Sequence, residues 1–314
     1  MRALVRKARE GKGSPAALEA LVEVLRSREA SAIAKAAAVA AEQDLQELRP
    51  ELLAACTRLL EAPPKADPGC AAKAALVEAL DRLGHPEAEL FARAIRHVQE
   101  EPVWGGRVDT AIDLRGAGAM GLARLDPPDT LLALARLLAD PEPPARMSAA
   151  RALTYRGRPD ALPLLHLRIH AGDAEPAILG ACFEAVLRLA PVSSVPFVAA
   201  FLDDASPAVA AEAALALGAS RREEAFVLLR DWSARTVDPV LRPVGLRALA
   251  LLRREEALEL LLERVREGSP AAAGEALDAL GFLRGDDALR ARVRAAAAGR
   301  DEPAVERALA KAFG

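Results

Sequence analysis

The sequence predicts an all-α array of about eight to nine stacked helical hairpins, and its period, its composition and the placement of its helix breaks carry that prediction. An acidic residue is followed thirteen positions later by an apolar one at Asp67 and Leu80, Asp109 and Leu122, Asp140 and Leu153, Asp173 and Val186, Asp204 and Leu217, and Glu267 and Leu280. Thr236 with Leu249 and Arg300 with Phe313 keep the register without the acid. Successive apolar anchors lie 42, 31, 33, 31, 32, 31 and 33 residues apart. A period of this length marks paired helices that bury their apolar faces only by stacking on their neighbours.

Composition points the same way. Of the 314 residues, 52% are hydrophobic and only 3% aromatic, so the core is built from Ala, Leu and Val, which suit close helix packing better than a β-rich fold. The net charge of −3 gives no half of the chain the basic excess of a polyanion binder. Cys56, Cys70 and Cys182 form no CxxC pair, and an odd number cannot close completely into disulfides. They read as core thiols in a reducing compartment. With no run of eighteen apolar residues and no leader-like start, a cytoplasmic protein with no membrane association is expected.

Each repeat begins with a helix whose apolar residues recur at helical spacing, as in Leu131, Leu134, Leu137 and Leu138, or Ala257, Leu258, Leu261, Leu262 and Val265. A polar break follows, with Asp or Ser beside Pro: Asp140-Pro141, Ser206-Pro207, Asp238-Pro239, Ser269-Pro270 and Asp301 before Pro303. Side-chain oxygens there are expected to accept from the free amides of the second helix, and Pro at its first position costs no helical hydrogen bond. Second helices carry a small residue four before the anchor at Gly118, Ala149, Cys182, Ala213, Gly245 and Ala276, which predicts close helix approach. A basic residue seven before the anchor recurs at Lys73, Arg115, Arg146 and Arg242.

The strings LRGAGAMGLARL from Leu114, ARMSAARALTYRG from Ala145 and LRPVGLRALALL from Leu241 resemble the second helix of HEAT repeats. They are most similar to the bacterial HEAT-like units first named for bilin lyase subunits. The resemblance implies a right-handed α-solenoid whose second helices line a concave side, and it implies that the recurring acids and Arg115, Arg146 and Arg242 form structural ladders between repeats. It implies no chemistry, because sites are placed on a fold independently. One array over residues 1–314 is expected, with 1–61 a divergent N-terminal cap and 62–314 regular repeats interrupted by an insertion near 99–110.

No catalytic or metal-binding set stands out. His166 and His170 share a helix face, but no Cys, Asp or Glu lies one turn from both, and an exposed face is the simpler reading. The chain lacks the His-Glu dipeptides of HEAT-like metal hydroxylases, and it lacks GxSxG, HExxH and a GK[ST] loop. Neither metal nor cofactor is expected.

The long interval between Leu80 and Leu122 places about ten extra residues in VQEEPVWGGRVDT, and repeat insertions emerge as loops on one face. Trp104 and Arg107 lie inside it. Trp and Arg are enriched at binding hot spots, although Trp104 also fits a plug tucked against the helices. Asp113 starts the helix after the insertion, and Arg151 and Tyr155 are one turn apart on the next second helix. With Trp104 these would form a cationic, aromatic patch suited to an acidic peptide, a phosphate or a nucleotide. Arg156 and Arg158 read as solvated surface.

The expected function is a non-catalytic scaffold that binds a protein or peptide through the concave face and the insertion. Two alternatives stand beside it. One is an enzyme like the HEAT-like alkylpurine DNA glycosylases, which Trp104, Asp113 and Arg151 invite and the net acidity disfavours. The other is a bilin-lyase-like accessory protein.

Overall fold

The computed structural model describes residues 1–11 and 13–314, leaving aside the side chains of Arg2 and Lys7. It divides into two compact units, Met1–Arg156 and Gly157–Gly314. Each is a short α-solenoid two helices thick, with the first helices of successive hairpins in one layer and the second helices in the other.

In the first unit α1 (Arg2–Glu10) precedes four hairpins: α2 (Pro15–Arg26) with α3 (Ala30–Glu42), α4 (Arg49–Glu61) with α5 (Ala71–Arg82), α6 (Ala88–Ala94) with α7 (Ile112–Leu125), and α8 (Thr130–Leu138) with α9 (Pro143–Arg156). The second helices α3, α5, α7 and α9 pack side by side. Residues 1–61 are therefore as helical as the regular repeats. Between α6 and α7 the insertion forms an antiparallel pair, β1 (Glu100–Val103) and β2 (Gly106–Asp109). This strand pair departs from the otherwise all-α pattern, because polar residues alternating with Val around a Trp-Gly turn favour a two-residue hairpin over a coil.

The second unit holds five hairpins: α10 (Leu162–Ala171) with α11 (Pro176–Leu189), α12 (Pro191–Ala199) with α13 (Pro207–Ala219), α14 (Glu224–Arg235) with α15 (Leu241–Leu252), α16 (Glu255–Glu267) with α17 (Pro270–Leu280), and α18 (Asp287–Ala297) with α19 (Pro303–Phe313). The rings of His166 and His170 lie 4.2 and 5.5 Å from that of Phe197.

Small residues set the helix spacing. A methyl group added at Gly118 would lie 2.7 Å from Ile95 N, and one at Gly218 would lie 2.4 Å from Ala248 O. Neither backbone can approach so closely past a larger side chain. The breaks differ in one respect from expectation. Ser269 caps α17 through Ala272 N at 3.3 Å, but Asp140, Asp173, Asp204 and Asp238 each accept from the amide two residues on, at 2.7–3.0 Å. They fold the turn that precedes the second helix, as Asp does when its carboxylate closes a local ring, and leave that helix's own amides to other partners.

Candidate functional site

The insertion is built on a buried polar network. Asp67 accepts from the amides of Ala72 (3.1 Å) and Lys73 (2.9 Å) at the start of α5. Lys73 is fully buried, and its ammonium donates to Gln99 Oε1. The amide nitrogen of Gln99 donates in turn to Asp67 O at 2.8 Å and to Glu101 Oε1 at 2.7 Å. That Glu101 oxygen also accepts from Gly69 N at 2.7 Å and Thr110 Oγ1 at 2.9 Å. The bonds from Gln99, Gly69 and Thr110 hold the Glu101 carboxyl below its usual range and bolt β1 to the turn before α5.

Asp109, at the end of β2, accepts from Gln99 N (3.0 Å) and Ala111 N (2.9 Å) and pairs with Arg115. Burial alone would raise its carboxyl, but the amides of Ala111 and Gln99 together with Arg115 outweigh that and keep it low. Arg115, 4% exposed, also donates to His97 O at 3.1 Å and reaches Asp140 of the next hairpin at 3.1 Å. The recurring acid and base thus tie adjacent repeats together around a rigid root for the hairpin.

From that root the hairpin projects Trp104. Val103 pairs with Gly106, leaving Trp104 and Gly105 to make the turn; Gly105 has φ +90°, which glycine adopts without a steric penalty. Trp104 is wholly exposed, at 102% of its free surface, so it plugs nothing. Arg107 folds back along the hairpin, with Nε 2.9 Å from Glu100 Oε2.

The other three predicted residues are all exposed but lie elsewhere. Asp113 occupies the first turn of α7, beside the hairpin root, where a carboxylate suits the helix dipole. Arg151 and Tyr155 are one turn apart on α9. A methyl group on Gly116 would sit 2.9 Å from Ser148 Oγ, which sets Gly116 of α7 level with Ser148 of α9. Tyr155 is then level with Ala123, about 15 Å along the axis from Asp113 at 1.5 Å per residue. The helices therefore separate the five residues into two places, the hairpin with its root and the far part of the second-helix face. Nor is Arg156 solvated: its guanidinium is buried against Asp126, while Arg158 is exposed and 3.5 Å from Asp160.

Sequence reasoning missed a cavity of about 680 Å³ between α6 and α8. Ala92, Ile95, Val98, Leu132 and Ala133 line it, and the Arg115–Asp140 pair closes one end. Val98 and Leu132 are exposed. The readable signal was the shortness of the first helix before the insertion, which leaves the first-helix layer open there.

Residues 107–176 match the family model described as HEAT repeats. That segment belongs to the HEAT-repeat family. No curated protein matches the sequence. Among solved structures, the chain is similar to the complex of CpcE and CpcF of phycocyanin lyase from Nostoc sp. PCC7120, at 19% identity over 78% of this chain and 92% of that one, with a TM-score of 0.41. It is similar to human deoxyhypusine hydroxylase at 21% identity, covering 80% of this chain and 89% of that one, TM-score 0.33. It is also similar to an engineered protein at 15% identity, covering 98% and 94%, TM-score 0.33. Among the described residues, no group of His, Cys, Asp and Glu is placed to hold a metal, and no helix is long and apolar enough to cross a membrane.

Proposed function

We propose that this chain is a non-catalytic scaffold that binds a protein or peptide partner through the Trp104 hairpin and the exposed face of its second helices. The observation that carries this reading is a wholly exposed Trp104 on a support held by buried hydrogen bonds. An exposed indole gains nothing for the fold, and when covered it contributes a large apolar area at little entropic cost. Val103 and Val108, both exposed, widen the apolar end. Arg151 and Tyr155, further along the second-helix face, extend the footprint.

Affinity purification with the wild-type chain and Trp104→Ala, followed by mass spectrometry, tests the reading. The expected result is a partner whose recovery falls about tenfold with the variant, a loss in the hot-spot range, while the helical melt is unchanged. Undiminished recovery of every co-purifying protein would overturn it.

A further inference from the structure

The second unit carries a cationic and aromatic groove of about 530 Å³ on its second-helix face, formed by α15, α17, α19 and the turn after α17. Arg247 lies with its guanidinium carbon 4.1 Å above the ring of Phe282. Some exposed arginines on this array find a carboxylate about one repeat away, as Arg242 does with Glu275 (3.0 Å) and Arg235 with Asp203 (2.6 Å). Arg247 does not. Among the described residues it forms no ion pair, and its Nε is buried without a hydrogen-bond partner. Arg284 lines the same groove, exposed and with no carboxylate partner among the described residues. Lys311 pairs with Asp278 at 2.9 Å. Three cations thus face one carboxylate beside a ring that is 57% exposed.

We propose that this groove binds an acidic peptide segment of a protein partner, with carboxylates on Arg247 and Arg284 and an apolar side chain on the open part of Phe282. The excess positive charge selects an anion, and Arg offers a planar fork that matches a carboxylate. The groove is open, with Phe282, Arg284 and Lys311 all exposed, whereas small-molecule sites enclose most of their ligand. An extended chain is thereby favoured over a nucleotide. This site is separate from the Trp104 hairpin and does not depend on it.

The test is fluorescence anisotropy of the full chain with a fluorescein-labelled peptide of alternating Glu and Leu, alongside a Gln-and-Leu peptide and unlabelled ATP as competitor. Saturable binding of the Glu peptide alone is expected, weakened about tenfold by Arg247→Ala and by Arg284→Glu, as for loss of a charge-assisted contact. Arg284→Glu alters an exposed side chain, so its readout does not depend on the stability of the Arg247 stack. Arg294→Ala, at an exposed arginine of α18, is expected to bind as the wild type does. The proposal is overturned if the Glu peptide does not saturate, if Arg284→Glu binds it normally, if Arg294→Ala weakens it equally, or if ATP displaces it at micromolar concentration. A failure here with Trp104→Ala still losing its partner leaves the hairpin reading standing.

Discussion

Replacing Arg115 with methionine removes the guanidinium that joins two repeats while keeping an apolar stem of similar length. The side chain is 4% exposed and sits between the carboxylates of Asp109 and Asp140, themselves 15% and 13% exposed. Removing one partner of a buried ion pair costs 3–5 kcal/mol, because a charge is left uncompensated. Both carboxylates retain backbone donors, Asp109 from Gln99 and Ala111 and Asp140 from Glu142, so the lower end, about 3 kcal/mol, is expected. For a unit of this size that is a fall of about 6–12 °C in the melting midpoint, read by circular dichroism at 222 nm, a helix band. The pH dependence sharpens the test. Asp109 has a depressed carboxyl in the fold, so its contribution is present above its unfolded value and is lost as pH falls through the folded one. The gap between wild type and Arg115→Met therefore narrows between pH 7 and pH 3. A variant that melts within 1 °C of wild type, or a gap that does not change with pH, would refute the structural ladder.

Gly121→Ala would place a methyl group 2.1 Å from the Phe91 ring, which is fully buried and cannot swing aside. Overpacking of about 3 kcal/mol, offset by about 1 kcal/mol of helix propensity, leaves a net loss of roughly 2 kcal/mol in a denaturant titration. Gly274→Ala meets nothing nearer than Ala308 Cβ at 3.9 Å and is expected to stabilise by about 0.5–1 kcal/mol; destabilisation there would contradict the assigned packing. Glu212 has its carboxyl raised by burial and by the nearby Glu184. A raised acid contributes stability below its unfolded value that is lost as pH rises through the folded one, so Glu212→Gln should melt higher than wild type at pH 7 and equally near pH 3. Cys56, Cys70 and Cys182 are buried, and burial pushes each thiol up to about 12. Ellman's reagent should therefore label them only after unfolding, and fast labelling at pH 7.5 would contradict that burial.

The regular features were legible because they are local or periodic. Leu134, Leu137 and Leu138 are buried where helical spacing puts them, and Gly118 admits a neighbouring backbone. The recurring Asp at position 140 and the recurring base at 115 meet because each repeat places them at the same two points. The candidate sites were less legible. Trp104 was as consistent with a plug as with a projecting tip, and only strand pairing across Gly105, with Glu101 fastened to Gly69, sends it outward. Helix register places Arg151 and Tyr155 about 9 and 15 Å along the axis from Asp113. Arg156 carries the same charge as Arg158 one turn-end away, yet it is buried because Asp126 of the preceding hairpin stands beside it.

The sequence by itself determined that this chain is a stack of helical hairpins, where its one insertion falls, and that the insertion contains an aromatic residue outside the core pattern. Those properties depend on spacing along one chain. Only the tertiary structure decided that Trp104 is exposed, that α6 and α8 leave a cavity, and that Arg247 stacks on Phe282 with no acid in reach. Each of these depends on which side chains, more than thirty residues apart in sequence, are brought level when neighbouring repeats pack, and the period alone does not encode that outcome.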